Sequence, residues 1–520
     1  MGLKAITALV LGGVVFTFHV SNDHLTMQAH AEEAARGEYR FGRLFQNIQP
    51  YGASDEALLD LGLSSYDKDF PAYMEDSQFR GTDNNSSIPV GHTYVGQLLT
   101  HDMSKDEDTT LGQRFEPERI SNRATPWIDL DVIYDHGGKL AIRDPKDPAK
   151  LLLGNGLGNE RDFPRDADGR ARIPDQRNDQ NNNLAQLTAV VMQFHNAMVD
   201  HLRDSGAAVL DDDLFASAKA MTIAHWQAIV FTEFLPIFVK QEIIDDVLAN
   251  GPLVYSDELA KNGVVPVEFS AAAFRFGHSI IRGRYTLNDL ETSDRVRLFP
   301  LSAKELTHSL IGHRPIPADR QIDWDRFFDF ESSIQGDLDD DEDQFKGLQV
   351  SRKIDRLLAR PVLRIPKFMM LGREVTPDLL KEQLLPDREV LSLASLNLRR
   401  GQVLRLPSGQ AVAKAMGADP IENADMGLCD ALDDCHEWGV VWTESEDEAP
   451  LFLYILEESR IQSGGEQLGE VGGRIVAEVI IGLLRADPLS ILNQDFLSPL
   501  TGTSSYTMAD MIFHAGWHLK

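Results

Sequence analysis

The stretch GHTYVGQLLTHDMSKD at residues 91–106 carries the clearest pattern in the chain. If it is helical, Gln97 and His101 stand one turn apart and project from the same face. Apolar residues between them, such as Leu98 and Leu99, then pack on another side. Because burying either polar side chain without a partner costs about 1–3 kcal/mol, the pair needs polar neighbours. On spacing alone, such a histidine is more often a satisfied core residue than a catalyst.

A second informative pair of segments lies further along the chain. Residues 271–285, AAAFRFGHSIIRGRY, place His278 on a helical, apolar pattern. A neutral imidazole in an apolar wall is what the axial ligand of a haem iron requires. The second ring nitrogen then needs a hydrogen-bond partner that orients the ring. Residues 391–401, LSLASLNLRRG, offer Asn397 for that purpose, and Arg400 one turn later can meet an anionic group.

Helical periodicity dominates the rest of the chain and predicts a mainly α fold. Apolar residues recur at three- and four-residue steps in the ranges 184–202, 214–248, 267–281, 389–398 and 472–484. A loop rich in Asp, Gly, Pro and Asn precedes the first of them, and alternating strands are scarce. Arg177 stands at the end of that loop, where its guanidinium either enters a cavity or forms a surface ion pair. The ion pair is the commoner role on spacing alone.

Composition excludes several classes of function. The 520 residues include 50 basic and 81 acidic ones, a formal charge of −31. Such a surface repels phosphate backbones and anionic lipid, so we expect no nucleic-acid partner and no stable membrane insertion. Cys429 and Cys435 are too few for an iron–sulfur cluster and lack zinc-site spacing. They form either a local disulfide in an exported protein or two buried thiols. The acidic run 337–343 is expected to be a solvated loop.

The N-terminus has the order of parts found in a signal peptide. Lys4 precedes an apolar run over residues 5–18, and the small-x-small sequence Ala29-His30-Ala31 follows. The run is too short for a comfortable transmembrane span. We therefore expect residues 1–31 to be a signal peptide of a secreted or periplasmic protein. The alternative is a disordered leader on a cytoplasmic one.

In this order, GQLLTHD, FRFGH and LNLRRG resemble the distal-histidine, proximal-histidine and Asn-bearing segments of the animal haem-peroxidase family, or peroxidase–cyclooxygenase superfamily. The similarity runs from about Arg40 to about Asn493. It includes RFGRLF, EAPLFLYILEESR and VGGRIVAEVIIGLLRADP, which resemble bacterial members. The resemblance implies one large, mainly α haem-peroxidase domain over residues 32–520, with long loops and little β structure.

The resemblance also implies roles for the distal residues. His101 would take a proton from peroxide and return it to the leaving oxygen, which asks for a neutral imidazole. Arg177 would stabilise the charge that develops as the O–O bond breaks. Gln97 would hold water or a small anion over the iron.

On the proximal side, the resemblance makes His278 the axial iron ligand and Asn397 its hydrogen-bond partner. Arg275 and Arg400 would anchor that side, with Arg400 the better candidate for a haem propionate. Arg275 also stands where cyclooxygenase-type and dioxygenase-type relatives carry a radical-forming tyrosine. This departure argues against fatty-acid oxygenation.

A calcium site carries over by the same resemblance. Asp102 follows the distal histidine, and the loop TPWIDLD supplies Thr125, the carbonyl of Trp127, Asp129 and Asp131. Oxygen ligands from carboxylates, a hydroxyl and a carbonyl suit a hard cation such as Ca²⁺. Asp131 departs from the serine often found in the family, but it adds a good ligand.

The residues that attach haem covalently in the family's mammalian members are absent from this sequence. Their ester-forming Asp and Glu are replaced by Thr100 and Gln180, and a haem-linked Met is replaced by Asn181. We therefore expect haem b to be held without covalent bonds. Chloride oxidation is then disfavoured, whereas bromide, iodide and thiocyanate remain open.

The function implied is a peroxidase that reduces hydrogen peroxide and oxidises a small phenolic, aromatic or anionic substrate. One alternative is a catalase-like scavenger, in which peroxide itself is the electron donor. The other is a non-catalytic, Ca²⁺-stabilised haem-binding or adhesion protein. The presence of both His101 and Arg177 argues against that reading, because a binder has no need of the pair.

Overall fold

The structure is a computed structural model of the chain. It describes residues 8–11, 14–17, 39–53, 55–62, 74, 84–206, 211–300, 308–330, 347–365, 392–428 and 448–517. Cys429, Cys435 and the acidic run 337–343 lie outside the described residues, as does most of the stretch 1–31.

Helices dominate the described residues, as the sequence predicts. The α-helices are α1 (Asp55–Gly62), α2 (Gly91–Met103), α3 (Asp131–Tyr134), α4 (Asn182–Asp204), α5 (Asp211–Ile229), α6 (Leu235–Phe238), α7 (Gln241–Asn250), α8 (Asp257–Lys261), α9 (Val267–Ser270), α10 (Leu393–Val403), α11 (Gly409–Met416), α12 (Leu451–Ser463), α13 (Glu470–Ala486) and α14 (Met508–His514). A π-helical turn, Val230–Phe234, joins α5 to α6. Short 3-10 helices occur at Pro117–Arg119, Gln176–Asp179, Ala273–His278, Glu291–Ser293, Ala318–Arg320, Trp324–Arg326 and Arg360–Leu363.

The strands are short, and those described pair only in twos. They are β1 (Ala8–Leu11), β2 (Val14–Thr17), β3 (Phe41–Gly42), β4 (Asn85–Pro89), β5 (Asp135–His136), β6 (Lys139–Leu140), β7 (Arg143–Asp144), β8 (Asp147–Leu151), β9 (Val265–Pro266), β10 (Arg284–Tyr285), β11 (Val296–Arg297) and β12 (Val350–Arg352). β3 and β9 run parallel, and the other pairs, β1–β2, β4–β12, β5–β6, β7–β8 and β10–β11, are antiparallel. The mainly α class with little β structure is thus confirmed.

The long helix α4 contains the predicted range 184–202. Its start is fixed by Asn181, whose side chain accepts a hydrogen bond from the Leu184 amide at 2.9 Å. Most of its residues are buried, because it packs against α5, α14 and α2. The helix therefore holds the Gln176–Asp179 turn, which directly precedes it, close to α2.

The prediction of a single helix over residues 267–281 is wrong. α9 ends at Ser270, Ala272 leaves the helical region, and the tighter Ala273–His278 helix follows. The physical reason is that a side chain takes a carbonyl that a continuing α-helix would use. Arg275 Nε donates to the Ser270 carbonyl at 2.8 Å, in place of the next backbone amide of a continuing α-helix.

The predicted range 214–248 is also interrupted. α5 passes through the π-helical turn into the short α6, and the chain becomes extended at Val239 before α7 begins. The Phe238 carbonyl, which a continuing helix would use, instead accepts from the Leu468 amide at 2.8 Å. The ranges 389–398 and 472–484 fall largely in α10 and α13, except that residues 389–391 lie outside the described part.

The buried apolar residues of the described chain form one cluster, with Trp226, Phe194 and Tyr454 among its largest members. Of the helices described above, none has both the length and the apolar character needed to cross a bilayer.

A buried ion-pair network anchors the turn that carries Arg177. Arg165 donates from Nη2 to Asp162 Oδ1 at 2.8 Å and from Nη1 to Asp179 Oδ2 at 2.7 Å. All three side chains are almost fully buried. Asp179 belongs to the Gln176–Asp179 helix, so the guanidinium fixes that helix to the preceding loop.

Replacing Arg165 with methionine leaves two buried carboxylates without a cation. We expect this change to lower the free energy of unfolding by about 3–5 kcal/mol, the usual cost of breaking a buried charge pair. Thermal or denaturant unfolding measures the loss. The matched control is Arg143→Met, which removes an exposed pair with Asp212 and should cost at most about 1 kcal/mol. Equal losses in the two variants would contradict the anchoring role.

Candidate active site

His101 is held by a residue that the sequence analysis did not single out. α2 carries His101 on a buried face, and its Nδ1 lies 2.9 Å from Asn178 Oδ1. An amide oxygen accepts only, so Nδ1 carries the proton in this contact. The lone pair of Nε2 is then left available to accept a proton from another molecule. Asn178 follows Arg177 directly, and that adjacency was its only signal in the sequence.

The surroundings of His101 keep its ring neutral. Burial, and then the positive charge of the nearby Arg177 guanidinium, lowers the pKa of His101 to about 3, although Asp175 and the hydrogen bond to Asn178 oppose the shift. A neutral imidazole is the form that accepts a proton. The structure therefore supplies the protonation state that the proposed distal base requires.

Arg177 lies against the end of α2 rather than at the surface. Its Nη2 donates to the His101 carbonyl and its Nη1 to the Ser104 carbonyl, both at 2.8 Å. Its Nε and Nη2 donate to Asp175 Oδ2 at 2.8 and 2.6 Å. Burial alone would raise the pKa of Asp175, but the adjacent guanidinium outweighs it and holds that pKa well below its usual range. Asp175 is thus a permanent anion that orients Arg177.

Gln97 occupies the same face of α2, one turn before His101. Asn181 Nδ2 donates to Gln97 Oε1 at 3.2 Å, and Gln97 Nε2 donates to Gln180 Oε1 at 3.5 Å. Thr100 is engaged elsewhere, since its hydroxyl donates to the Gly96 carbonyl at 2.8 Å. Thr100, Gln180 and Asn181, which replace the two ester-forming residues and the haem-linked Met, therefore lie in or beside α2, and each forms a local hydrogen bond.

On the other side, His278 meets Asn397 as the sequence predicts. Asn397 Nδ2 lies 2.7 Å from His278 Nδ1, and in this orientation the amide nitrogen donates to the ring. Rotating that amide by half a turn presents its oxygen to Nδ1–H and leaves Nε2 of the ring as a ligand atom. Burial, and then the nearby Arg275, lowers the pKa of His278 to about 3, so this imidazole is also neutral.

Arg275 and Arg400 concentrate positive charge beside His278. Burial, and next the like charge of Arg400, lowers the pKa of Arg275 to about 10, and its Nε donates to the Ser270 carbonyl. Arg400 Nη1 donates to Asp106 Oδ2 at 2.9 Å, a partner missed from the sequence. Because α2 packs against the Ala273–His278 helix, the same Arg275 is close enough to lower the pKa of His101. The distal and proximal segments thus form one site.

The predicted calcium ligands also converge. Carboxylate oxygens of Asp102, Asp129 and Asp131 lie within 4.8 Å of one another. Asp102 Oδ1 and Asp131 Oδ1 are buried and make no hydrogen bond. The Thr125 hydroxyl donates to Asp129 Oδ1 at 2.7 Å. The fifth predicted residue, Trp127, donates from its indole nitrogen to the Tyr39 hydroxyl.

Mutual repulsion in this cluster favours a bound cation. Burial, and then the neighbouring carboxylates, raises the pKa of Asp102 well above its usual range. The same causes raise the pKa of Asp129 to about 7. Burial also raises the pKa of Asp131, although His136 opposes the rise. Buried carboxylates with unused oxygens are the donor set that Ca²⁺ prefers.

Comparison with known proteins shows what this part of the chain is similar to. Residues 78–323 match the family model "Animal haem peroxidase", which covers His101, Arg177 and His278. A Drosophila melanogaster protein named "Peroxidase" is 27% identical over 199 residues, covering 35% of this chain and 29% of that protein. The "Chorion peroxidase" of the same organism is 31% identical over 182 residues, covering 32% and 22%. The matches thus span less than a third of these relatives.

Solved structures share the fold over most of the chain. Peroxidase A from Dictyostelium discoideum superposes with a TM-score of 0.58 and 16% identity, covering 92% of this chain and 93% of that one. The fatty acid alpha-dioxygenase of Oryza sativa gives a TM-score of 0.54 and 15% identity, covering 91% and 78%. At these identities the likeness establishes the architecture alone.

The carboxylate cluster makes stability depend on pH and Ca²⁺ together. The pKa of Asp129 is about 7 when folded and about 3.9 when unfolded. The folded state therefore binds more protons between these values, and the cation-free protein loses stability as pH rises through that window. We expect added Ca²⁺ to raise the Tm by several degrees near neutral pH and by little at about pH 4.5. Thermal scans with Ca²⁺ or a chelator measure this.

The matched variant for that measurement is Asp129→Asn, which removes one carboxylate and keeps the side-chain shape. It should reduce both the pH dependence and the gain from Ca²⁺. An equal gain in Tm at both pH values, or an undiminished gain in the variant, would contradict a cation site at this cluster.

Proposed function

We infer that this chain, whose residues 78–323 match the animal haem peroxidase family model, is a member of that family and an enzyme that reduces hydrogen peroxide and oxidises a second, small substrate. The observation that carries the proposal is the pairing of the buried His101 with the partly buried Arg177. One is a neutral imidazole fixed in a single tautomer by Asn178, and the other is a guanidinium fixed by Asp175. A base and a fixed positive charge side by side suit a reaction that moves a proton while negative charge develops.

The proximal residues fit a haem group. His278 offers a neutral ring as axial ligand, with Asn397 as its partner. A Cβ added at Gly277 would meet no atom within 4 Å, so a flat group has room beside that backbone. Arg275 is buried among like charges, which an anionic propionate would relieve. When bound, haem supplies an iron that exchanges electrons with peroxide.

The distal residues then act on the peroxide itself. His101 Nε2 accepts the proton of one peroxide oxygen and returns it to the other, which departs as water. The fixed guanidinium of Arg177 stabilises the negative charge on the departing oxygen. Gln97, held by Gln180 and Asn181, would orient water or a small anion on the same face of α2 as His101.

The second substrate is proposed as a phenolic or other aromatic compound, or as a small anion such as bromide, iodide or thiocyanate. The positive charge of Arg177 supports the access of anions. Fatty-acid oxygenation has no support from the site, because Arg275 stands where the dioxygenase-type relatives carry a tyrosine. The Asp102, Asp129 and Asp131 cluster is proposed to hold Ca²⁺, which would fix the end of α2 from its other side.

Absorption spectra of the chain with added hemin test the proposal. We expect a histidine-ligated ferric Soret band that shifts when one equivalent of hydrogen peroxide is added. His101→Ala should keep the haem and slow the peroxide step by about 10²-fold or more, whereas His278→Ala should disturb the ferric band itself. His195→Ala, which removes a buried histidine far along α4, is the control. A haem spectrum that does not respond to peroxide would overturn the proposal and favour a binding protein.

Extraction of the haem tests its mode of attachment. Because Thr100, Gln180 and Asn181 cannot form the ester or sulfur links of mammalian members, acid–acetone should move all the haem into the organic phase. A protein with thioether-linked haem, of the C-x-x-C-H type, is the positive control for retention. Haem that stays with the polypeptide after acid–acetone extraction would contradict the expectation of haem b held without covalent bonds.

A further inference from the structure

His136 lies between the two charged clusters of the site. It is the last residue of strand β5, which directly follows α3, and its side chain is almost fully buried. Its Nδ1 is 3.0 Å from Asp131 Oδ2, and its Nε2 is 3.3 Å from Asp175 Oδ2. One rigid ring therefore separates two carboxylates that the sequence places far apart.

Each of these carboxylates serves a different group. Asp131 is one of the three carboxylates proposed to hold Ca²⁺. Asp175 holds the Arg177 guanidinium through Nε and Nη2. The ring thus links Asp131 to Asp175 in a continuous series of side-chain contacts that leads from the cation cluster to Arg177.

A second connection between the clusters runs through the backbone. Asp102 follows His101 in α2, and Arg177 donates to the His101 carbonyl. The cation cluster and Arg177 therefore touch α2 from two sides. Any energetic link between them passes through His136, through α2, or through both, and the two routes can be separated by substitution.

We propose that His136 is a positioning residue that couples Ca²⁺ binding at Asp102, Asp129 and Asp131 to the orientation of Arg177. The inference rests on the proposed function, since Arg177 matters there for its position over the peroxide. A bound cation fixes the Asp131 carboxylate, and the ring transmits that position to Asp175. Displacing Asp175 would turn the guanidinium away from the peroxide.

The Nε2 contact explains why the ring can transmit a shift. Its 3.3 Å approach to Asp175 is close but lacks hydrogen-bond alignment, whereas the Nδ1 contact is a hydrogen bond. The ring is therefore held firmly from the Asp131 side and less firmly from the Asp175 side. A movement of Asp131 then moves the ring with it and changes its fit against Asp175.

Ca²⁺ affinity measured by titration calorimetry tests the coupling, since linkage between two sites is reciprocal. The full chain with bound hemin is titrated, without peroxide, as wild type, Arg177→Lys, His136→Asn and the double variant. Arg177→Lys keeps the charge but loses the two-pronged hold on Asp175. His136→Asn keeps a donor at the Nδ1 position and cannot reach Asp175.

We expect Arg177→Lys to weaken Ca²⁺ binding by about fivefold or more in the chain with His136. In the His136→Asn background the same change should alter the affinity by less than about twofold. The second variant, His136→Gln, keeps the Nε2 position and loses the Nδ1 contact, and should abolish the coupling as well. His225→Gln, at a buried histidine bonded to Ser498, should leave the coupling intact.

Equal effects of Arg177→Lys in all backgrounds would overturn the proposal and assign the coupling to α2. Retention of the coupling in both His136 variants would overturn it as well. A wild-type chain that binds no Ca²⁺ contradicts the cation site itself, and it is recognised before any variant is compared. A loss of peroxidase activity cannot by itself change the measured Ca²⁺ affinity, because no peroxide is present in the titration.

Discussion

The contact between Arg177 and the end of α2 is the interaction on which the rest of the site depends. The last carbonyls of a helix have no partner within the helix and carry partial negative charge. Arg177 satisfies the carbonyls of His101 and Ser104, while Asp175 compensates its charge. Without that guanidinium, two carbonyls at the end of α2 would lose a donor and the buried Asp175 would lose its arginine partner. The same cation also disfavours protonation of His101, so one residue sets both the position and the charge of its neighbour.

Two sites of opposite charge share α2. Consecutive helical residues project about 100° apart, so His101 and Asp102 face different surroundings although they adjoin in sequence. His101 faces Asn178 and the arginines, whereas Asp102 faces Trp226 and the other carboxylates. The chain as a whole is strongly acidic, yet the proximal side concentrates Arg275 and Arg400. This separation lets a neutral imidazole and a cation site lie within one turn of helix.

Much of the arrangement was accessible from the sequence. Helical periodicity predicted α4 and α13, because their apolar residues recur with the helical period and their interruptions are few. The ordered resemblance supplied His101, Arg177, His278 and Asn397, and the structure brings the first two and the last two together. The single helix over 267–281 was wrong, since the pattern does not reveal that Arg275 takes the Ser270 carbonyl.

The residues that support the site residues through hydrogen bonds or ion pairs could not be predicted from the sequence in the same way. Asn178 meets His101 across 77 positions of sequence, and His136 and Asp106 likewise act on distant segments. Polar residues in loops have no periodicity, and a resemblance transfers only the residues that its motifs contain. Which of them face the site depends on how α4 and its preceding turn dock on α2, and that is a property of the folded core.

The pH dependence of the reaction with hydrogen peroxide tests the central claim, that His101 is held neutral for its role as a base. The second-order rate constant is measured by stopped flow on the hemin-loaded chain from about pH 4.5 to about pH 8. With the pKa of His101 at about 3, the rate constant should be independent of pH over this range. A rate constant that rises with a midpoint near the ordinary histidine pKa of about 6.5 would show that the ring is protonated at low pH, and would contradict the account.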